Sequence, residues 1–154
     1  MNKPKIQLLL KDSYLAMIKN SVGAKMFRNF YGKINNKKKD LTLDGQYSCA
    51  FFVSFILLPF KLISEGHLTV ESTMQDLKKS GWYKISKPKI GSILFWESFD
   101  FGDNDPHPHI GFYIGNKKAI SNSSETHNPE IHHYTYGKYN RKIKSIWWHK
   151  KLDK

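Results

Sequence analysis

The side chains best suited to covalent catalysis in this sequence are one cysteine and a histidine that follows it after 60 residues. Cys49, the only cysteine among the 154 residues, stands where a polar segment gives way to an apolar run. Ser48 is suited to cap a helix there, and the free N–H groups and dipole of a helix start favour a thiolate and a developing oxyanion. A lone cysteine can equally be a small buried apolar residue, so Cys49 needs a catalytic partner to be a nucleophile.

His109 is the candidate partner of Cys49. It opens the segment 109–116, whose apolar and aromatic residues predict a β-strand. A cysteine nucleophile needs a base within hydrogen-bonding reach, and that base needs a third group to fix its tautomer. A histidine on a strand that faces a helix start meets the first requirement. The alternative is a surface histidine at a strand end, which sequence spacing does not exclude.

The elements that must position these residues are helices first and strands afterwards. Residues 6–30 show a helical apolar stripe that Gly23 interrupts, and the apolar run from Cys49 predicts a buried helix that Pro59 ends. A surface helix is predicted for residues 72–79, with Ser72 as its cap and Gly81 behind it. A hairpin tip is predicted at residues 35–36. Strands are predicted at residues 82–85, 92–96, 110–114, 119–120, 131–134 and 143–148.

The connections between these strands are too short for crossover helices, which predicts an antiparallel sheet. Helices followed by strands are typical of the α+β class, and the length suits one domain with one core.

Lysine dominates the charge of the chain. The net charge is +12, from 25 Lys and Arg against 13 Asp and Glu. Such a surface favours an anionic partner such as a cell-wall polymer or nucleic acid, or it is simply a solubilising surface. Only Arg28 and Arg141 are arginines, and arginine is the better residue for bidentate phosphate or base recognition. Nucleic-acid binding is therefore the secondary expectation.

No signal peptide or transmembrane segment is predicted, because the apolar runs near residues 6–10 and 49–62 are too short. The chain as written is therefore expected to be cytoplasmic, unless a leader has been removed.

A metal site is a weaker interpretation of the acidic and histidine residues. Asp103, Asp105, His107 and His109 are close in sequence, but they lack a compact ligand spacing. His132 and the adjacent His133 would point to opposite faces of a strand, so at most one of them is expected to reach a pocket. We expect neither a metal nor a cofactor.

Three segments occur in a characteristic order: Cys49 at a helix start, a strand over residues 89–96, and the sequence His-Ile-Gly-Phe-Tyr-Ile-Gly-Asn over residues 109–116. This order resembles that of the NlpC/P60 cysteine peptidases, which with the CHAP amidases belong to the papain-like group. The resemblance covers roughly residues 45–125. It implies a papain-like fold in which a buried helix carrying the cysteine packs on an antiparallel sheet.

The resemblance further implies roles for individual residues. Cys49 would be the nucleophile and His109 the general base. The family position for the third residue falls on Ser121, twelve residues after His109, but the amide of Asn122 is chemically the better partner. We therefore expect Asn122 to orient His109, with Ser121, Glu125 and His127 as alternatives; the choice matters because adjacent strand residues face opposite ways.

The expected protein is a single domain over residues 1–154, with a helical N-terminal extension at 1–44 and a catalytic core at 45–150. Its expected activity is hydrolysis of an amide bond through a thioester, and the resemblance implies peptidoglycan peptides or a similar substrate. The alternative from another class is a basic, non-catalytic module that binds an anionic polymer.

Overall fold

The computed structural model describes residues 3–102 and 104–154 and shows an α+β protein. Its described residues form three α-helices, a two-stranded hairpin and a six-stranded antiparallel sheet. The helices are α1 (Leu10–Asn20), α2 (Cys49–Leu57) and α3 (Val70–Lys79). The strands are β1 (Tyr31–Ile34), β2 (Lys37–Asp40), β3 (Trp82–Ile85), β4 (Ile93–Phe99), β5 (His107–Gly115), β6 (Lys118–Asn122), β7 (Pro129–His133) and β8 (Ile143–His149).

The large sheet has the strand order β3-β8-β4-β5-β6-β7, and every neighbouring pair is antiparallel. All six strands predicted from the sequence are present, so the predicted α+β class and antiparallel sheet are confirmed. Strands β5, β6 and β7 are consecutive and joined by short turns. Side chains from these three strands therefore meet on one face of the sheet within a short stretch of sequence.

The core lies between the helices and one face of the large sheet. Seven of the nine residues of α2 are buried, and they pack with Ile110, Phe112 and Ile120 from the sheet. The α-helix ends at Leu57, and a short 3₁₀ turn (Leu58–Phe60) contains Pro59, as the missing N–H of proline requires. A helix surrounded by core in this way holds its first residue, Cys49, at a fixed place relative to the sheet.

Helix α1 is shorter than the predicted stripe over residues 6–30. Tyr14 and Ile18 are fully buried, whereas Ile6 and Leu8 are more than four-fifths exposed, so residues 3–9 have no core against which a helix could form. Gly23, at φ 76°, separates α1 from a 3₁₀ turn at Lys25–Phe27, and the predicted interruption is confirmed.

The third helix begins two residues before the predicted start. Its cap is Thr69, whose hydroxyl oxygen accepts a hydrogen bond from the backbone N–H of Ser72 at 3.2 Å. The prediction that Ser72 caps the helix is therefore wrong. Thr69 nevertheless supplies what the predicted capping box would supply, a side-chain oxygen that accepts a hydrogen bond from a backbone N–H at the helix start.

The predicted hairpin at Asn35 and Asn36 is present between β1 and β2. Both asparagines have positive φ, 50° and 60°, which suits the tight two-residue turn between twisted strands. The described part of the predicted helical extension, residues 3–44, therefore contains a hairpin as well as a helix, and α1 contributes to the same core as α2. None of the helices in the described ranges has the length and apolar character needed to cross a membrane.

Candidate active site

The candidate residues surround a cavity of about 810 Å³. Cys49 at the start of α2 and His109 on β5 both line it, so the structure brings the two main candidates to one site. Of the residues considered for the third position, Ser121, Asn122 and Glu125 also line this cavity. His127 is not among the lining residues, and its ring nitrogen lies 3.7 Å from the carboxylate of Asp44.

Cys49 occupies the first position of α2, but Ser48 does not cap the helix with its side chain. The Ser48 hydroxyl donates instead to the Phe27 carbonyl at 2.7 Å, which ties the helix start to the preceding 3₁₀ turn. The Cys49 thiol interacts with the backbone N–H groups of Ile110, Ala50 and Cys49 itself. The sulfur therefore lies near the backbone of Ile110, the residue that follows His109 on β5.

Burial dominates the protonation of Cys49. Although the side chain keeps partial exposure, burial raises the pKa of its thiol to about 11, and the three N–H groups and the Arg141 charge only partly offset this. The helix start therefore does not favour a thiolate in the resting protein, contrary to the expectation from the sequence. Cys49 is a neutral thiol at neutral pH.

His109 is also neutral in the resting site. Its side chain is 7% exposed, and burial, followed by the positive charge of Arg141, lowers its pKa well below the ordinary value for histidine. Its ring lies beside the buried Trp96, with 5.6 Å between the ring centres. A neutral imidazole that lines the same cavity as a neutral thiol can act as a base at the moment of reaction.

The partner of His109 is Ser121 rather than Asn122. Nε2 of His109 lies 2.9 Å from Oγ of Ser121, whereas the Asn122 side-chain amide donates to the Gly45 carbonyl at 2.7 Å. The expectation that Asn122 orients His109 is therefore corrected. Adjacent residues of β6 point to opposite faces of the sheet, and the side chain of Ser121 lies on the same face as that of His109, whereas the side chain of Asn122 lies on the other face. The resemblance to NlpC/P60 peptidases implies Ser121 for the third position, twelve residues after His109, whereas amide chemistry alone favours Asn122.

The absence of a side chain at Gly111 leaves space for the side chain of Ser121. A Cβ built on Gly111 would lie 2.7 Å from Cβ of Ser121 and 2.7 Å from the carbonyl oxygen of Ile120. Any side chain at this position would push β6 away from β5 or displace Ser121. The glycine two residues after His109 therefore permits the contact between His109 and Ser121.

Two residues that the sequence analysis did not assign complete the surroundings of Ser121. Nε2 of His132 lies 2.7 Å from Ser121 Oγ, and the Tyr136 hydroxyl lies 3.1 Å from it. The expectation that at most one of His132 and His133 reaches the pocket is met by His132, which lines the cavity. The pairing of β6 with β7, which the sequence does not specify, is the information needed to place His132 near Ser121.

Arg141 is a third site residue to which the sequence patterns gave no role. It is 2% exposed, and its guanidinium donates to the carbonyls of Glu97 at 3.1 Å and His107 at 2.7 Å. It also lines the cavity and interacts with the Tyr136 hydroxyl. Its only signal in the sequence is that it is one of two arginines in a chain rich in lysine.

The exposed side chain of Gln46 also lines the cavity. Within residues 3–102 and 104–154, no group of three or more His, Cys, Asp or Glu side chains is placed to hold a metal ion. Asp103, named above as a metal candidate, lies outside the described residues.

Comparison of the chain with protein-family models and with curated protein sequences finds no match.

Proposed function

We propose that this protein is a papain-like cysteine hydrolase that cleaves an amide bond, with Cys49 as nucleophile and His109 as general base. The observation that carries the proposal is the meeting of Cys49 and His109 in one cavity, with His109 hydrogen-bonded through Nε2 to Ser121. Because Nε2 is occupied by Ser121, we assign the transfer of the thiol proton to the other ring nitrogen, Nδ1. This is the nucleophile, base and orienting group that thiol catalysis requires.

The mechanism begins from the neutral thiol and the neutral imidazole. His109 takes the thiol proton while sulfur attacks the substrate carbonyl carbon, so a stable thiolate is not needed beforehand. The tetrahedral oxyanion receives hydrogen bonds from backbone N–H groups at the start of α2, among them that of Cys49, which interacts with the thiol in the resting site. His109 then returns the proton to the departing amine, which leaves a thioester on Cys49.

Hydrolysis of the thioester completes the cycle. His109 removes a proton from water as its oxygen attacks the thioester carbonyl, and the C–S bond then breaks. The sulfur recovers its proton from His109, and the product leaves as a carboxylic acid that ionises in water. No oxidant or cofactor is needed for this sequence.

Peptidoglycan peptides or chemically similar amides are the proposed substrates, on the resemblance of the cysteine and histidine segments to those of NlpC/P60 peptidases. A cavity of about 810 Å³ is in the size range of small-molecule sites and accommodates several residues of an extended peptide.

Hydrolysis of a peptide panel tests the proposal. The full chain is incubated with wall-derived peptides and unrelated dipeptides, and mass spectrometry follows the products and any acyl adduct on the protein. Cleavage is expected to disappear in Cys49→Ala and to fall by about 10³-fold in His109→Ala.

The matched control is His127→Asn, a histidine change outside the cavity. Asparagine tolerates the positive φ of 60° at this position, and this variant should retain the wild-type rate. Cleavage that persists in Cys49→Ala would refute the proposal, as would the absence of any turnover and any adduct across the panel.

A second candidate function, binding of an anionic polymer, is favoured by a groove beside the cavity. This lysine groove has a volume of about 420 Å³ and is lined by Lys78, Lys84 and Lys144. Two of these ammonium groups lie 6.0 and 5.6 Å from the ring centre of Trp147, and the third lies 5.7 Å from that of Phe95.

Binding to an anionic wall polymer, measured against salt concentration, tests this candidate. Changing the three groove lysines to Gln should weaken binding and reduce its salt dependence. Changing Lys37, Lys38 and Lys39 of the hairpin to Gln removes the same charge and should leave binding intact. Equal losses in the two variants would contradict a specific groove.

A further inference from the structure

We propose that His132 is a positioning residue of this site: acting through Ser121, it fixes the tautomer of His109 so that Nδ1 stays free to accept the Cys49 proton. We call His109, Ser121 and His132 the Ser121 relay. The inference rests on the proposed function for its catalytic meaning, but the hydrogen-bond assignment can be tested without any substrate.

A hydrogen bond to the backbone fixes the tautomer of His132. Nδ1 of His132 lies 2.8 Å from the backbone carbonyl oxygen of His133. Because a carbonyl oxygen only accepts hydrogen bonds, Nδ1 must carry a proton. Burial lowers the pKa of His132 to about 4, so the ring is neutral and holds a single proton. Its Nε2 is therefore an unprotonated acceptor.

The tautomer of His132 in turn fixes the direction in which the Ser121 hydroxyl donates its proton. An unprotonated Nε2 of His132 at 2.7 Å from Oγ must receive the only proton of that hydroxyl. Ser121 then has two lone pairs and no further proton for its other partners. The Tyr136 hydroxyl, 3.1 Å from Oγ, donates to one lone pair; the Arg141 guanidinium, which also interacts with this hydroxyl, can only donate to it and so leaves its proton for Ser121.

The direction of the Ser121 hydroxyl then fixes the tautomer of His109. Its Nε2 lies 2.9 Å from a Ser121 oxygen whose proton is committed to His132, so Nε2 must be the donor. His109 is neutral, and its single proton is therefore on Nε2. Nδ1 is bare and able to act as a base. Each donor of the Ser121 relay is thus matched by one acceptor.

The surroundings hold His132 in the orientation that this requires. Its ring stacks on Tyr136 with 4.2 Å between ring centres and an angle of 25°, and the Trp96 ring centre lies 5.7 Å away. On β6 its register partner is Ala119, whose small side chain lets the imidazole reach across to Ser121, two residues further on. The tautomer of His132 is thus set by backbone geometry and packing.

Removal of the acceptor on His132 has a defined consequence. The Ser121 proton is then free to point at Nε2 of His109, which would move the proton of His109 to Nδ1, the wrong nitrogen for the Cys49 thiol. In His132→Phe the ring that stacks on Tyr136 is kept and only the nitrogens are lost. In His132→Gln the side-chain carbonyl can stand in for Nε2 as the acceptor.

Nitrogen-15 NMR of the uniformly labelled full chain reads the tautomers directly. In the wild type, His109 is expected to be protonated on Nε2 and His132 on Nδ1; His109 protonated on Nδ1 would overturn the proposal before any variant is made. His132→Phe should shift His109 towards the Nδ1–H tautomer, and His132→Gln should preserve the wild-type state. An unchanged His109 tautomer in folded His132→Phe also overturns it.

His133→Gln is the matched control, because His133 is exposed and its side chain is not part of the Ser121 relay. This variant should leave the His109 tautomer unchanged, and a shift of that tautomer would count against the relay.

Kinetics separates this inference from the proposed function. If the protein hydrolyses amides, kcat of His132→Phe should fall by about 100-fold with KM little changed, and His132→Gln should recover most of the loss. The predicted tautomer shift in a protein without hydrolase activity would uphold the relay and refute the proposed function. Hydrolysis by the wild type together with an unchanged His109 tautomer in His132→Phe would support the proposed function and refute the relay.

Discussion

Alkylation of Cys49 by iodoacetamide reports the protonation state of the site, because the chain has no second thiol. With a pKa of about 11, roughly one Cys49 side chain in 10⁴ is a thiolate at about pH 7, against roughly 3% for an ordinary thiol. The lower thiolate fraction slows the reaction about 300-fold. A more basic thiolate is intrinsically about 13-fold more nucleophilic for a Brønsted coefficient of about 0.45. The folded protein should therefore react about 20-fold more slowly than the unfolded chain.

The intact mass of the protein, followed over time, measures this rate. The control is the same chain in concentrated guanidinium chloride, where Cys49 regains the pKa of an ordinary thiol. In the folded protein the rate should rise about tenfold for each pH unit from about pH 6 to about pH 10, as expected for a single thiol that ionises above that range.

A different pH profile would refute the reasoning. If Cys49 and His109 formed a thiolate–imidazolium pair, alkylation at about pH 6 would exceed that of the unfolded chain and the rate would level off between two pKa values. That outcome would show that burial does not control the thiol and that the neutral starting state of the mechanism is incorrect.

Three further substitutions probe the scaffold of the site. Gly111→Ala places a Cβ 2.7 Å from that of Ser121, so chemical denaturation should show a loss of about 1–3 kcal/mol and NMR should show a disturbed His109 tautomer. Tyr14→Phe removes the hydrogen bond from a fully buried hydroxyl to the Gly91 carbonyl at 2.8 Å and should cost about 1–2 kcal/mol in the same assay. For Asp76, burial opposes ionisation, but hydrogen bonds from its neighbours outweigh burial and hold its pKa below the ordinary value. Its stabilising effect is complete above the ordinary pKa of about 4 and shrinks progressively below it, so Asp76→Asn should destabilise the protein at neutral pH, and the difference from the wild type should narrow steadily as the pH is lowered below about 4.

The strands and the hairpin could be predicted because their signals are local. Alternating apolar residues and turn residues such as Asn35 and Asn36 act within a few positions, and the structure follows them. The apolar stripe over residues 6–30 misled the helix prediction, because Ile6 and Leu8 find no core to cover them. Periodicity shows which residues could share a face but not whether another element packs there.

The candidate site could be predicted in its types of residue but not in its protonation or register. Cys49 and His109 were identified from residue chemistry and order, and both line the cavity. The choice between Ser121 and Asn122 depends on which face of β6 meets His109, and a one-residue difference reverses the answer. The raised pKa of Cys49 arises from the packing of the whole core around it, which no local pattern contains.

The contacts among the relay residues are local in sequence, whereas the contact of the nucleophile with them is long-range. His109, Ser121 and His132 lie within 24 residues on three consecutive antiparallel strands, so their contacts close only short loops. Cys49 meets them only when α2 docks across a much longer stretch of chain. Loosening of α2 from the sheet would therefore separate the thiol from its base while the three-strand unit stays formed, and a truncation or mutation that weakens that docking should abolish thiol chemistry before it melts the sheet.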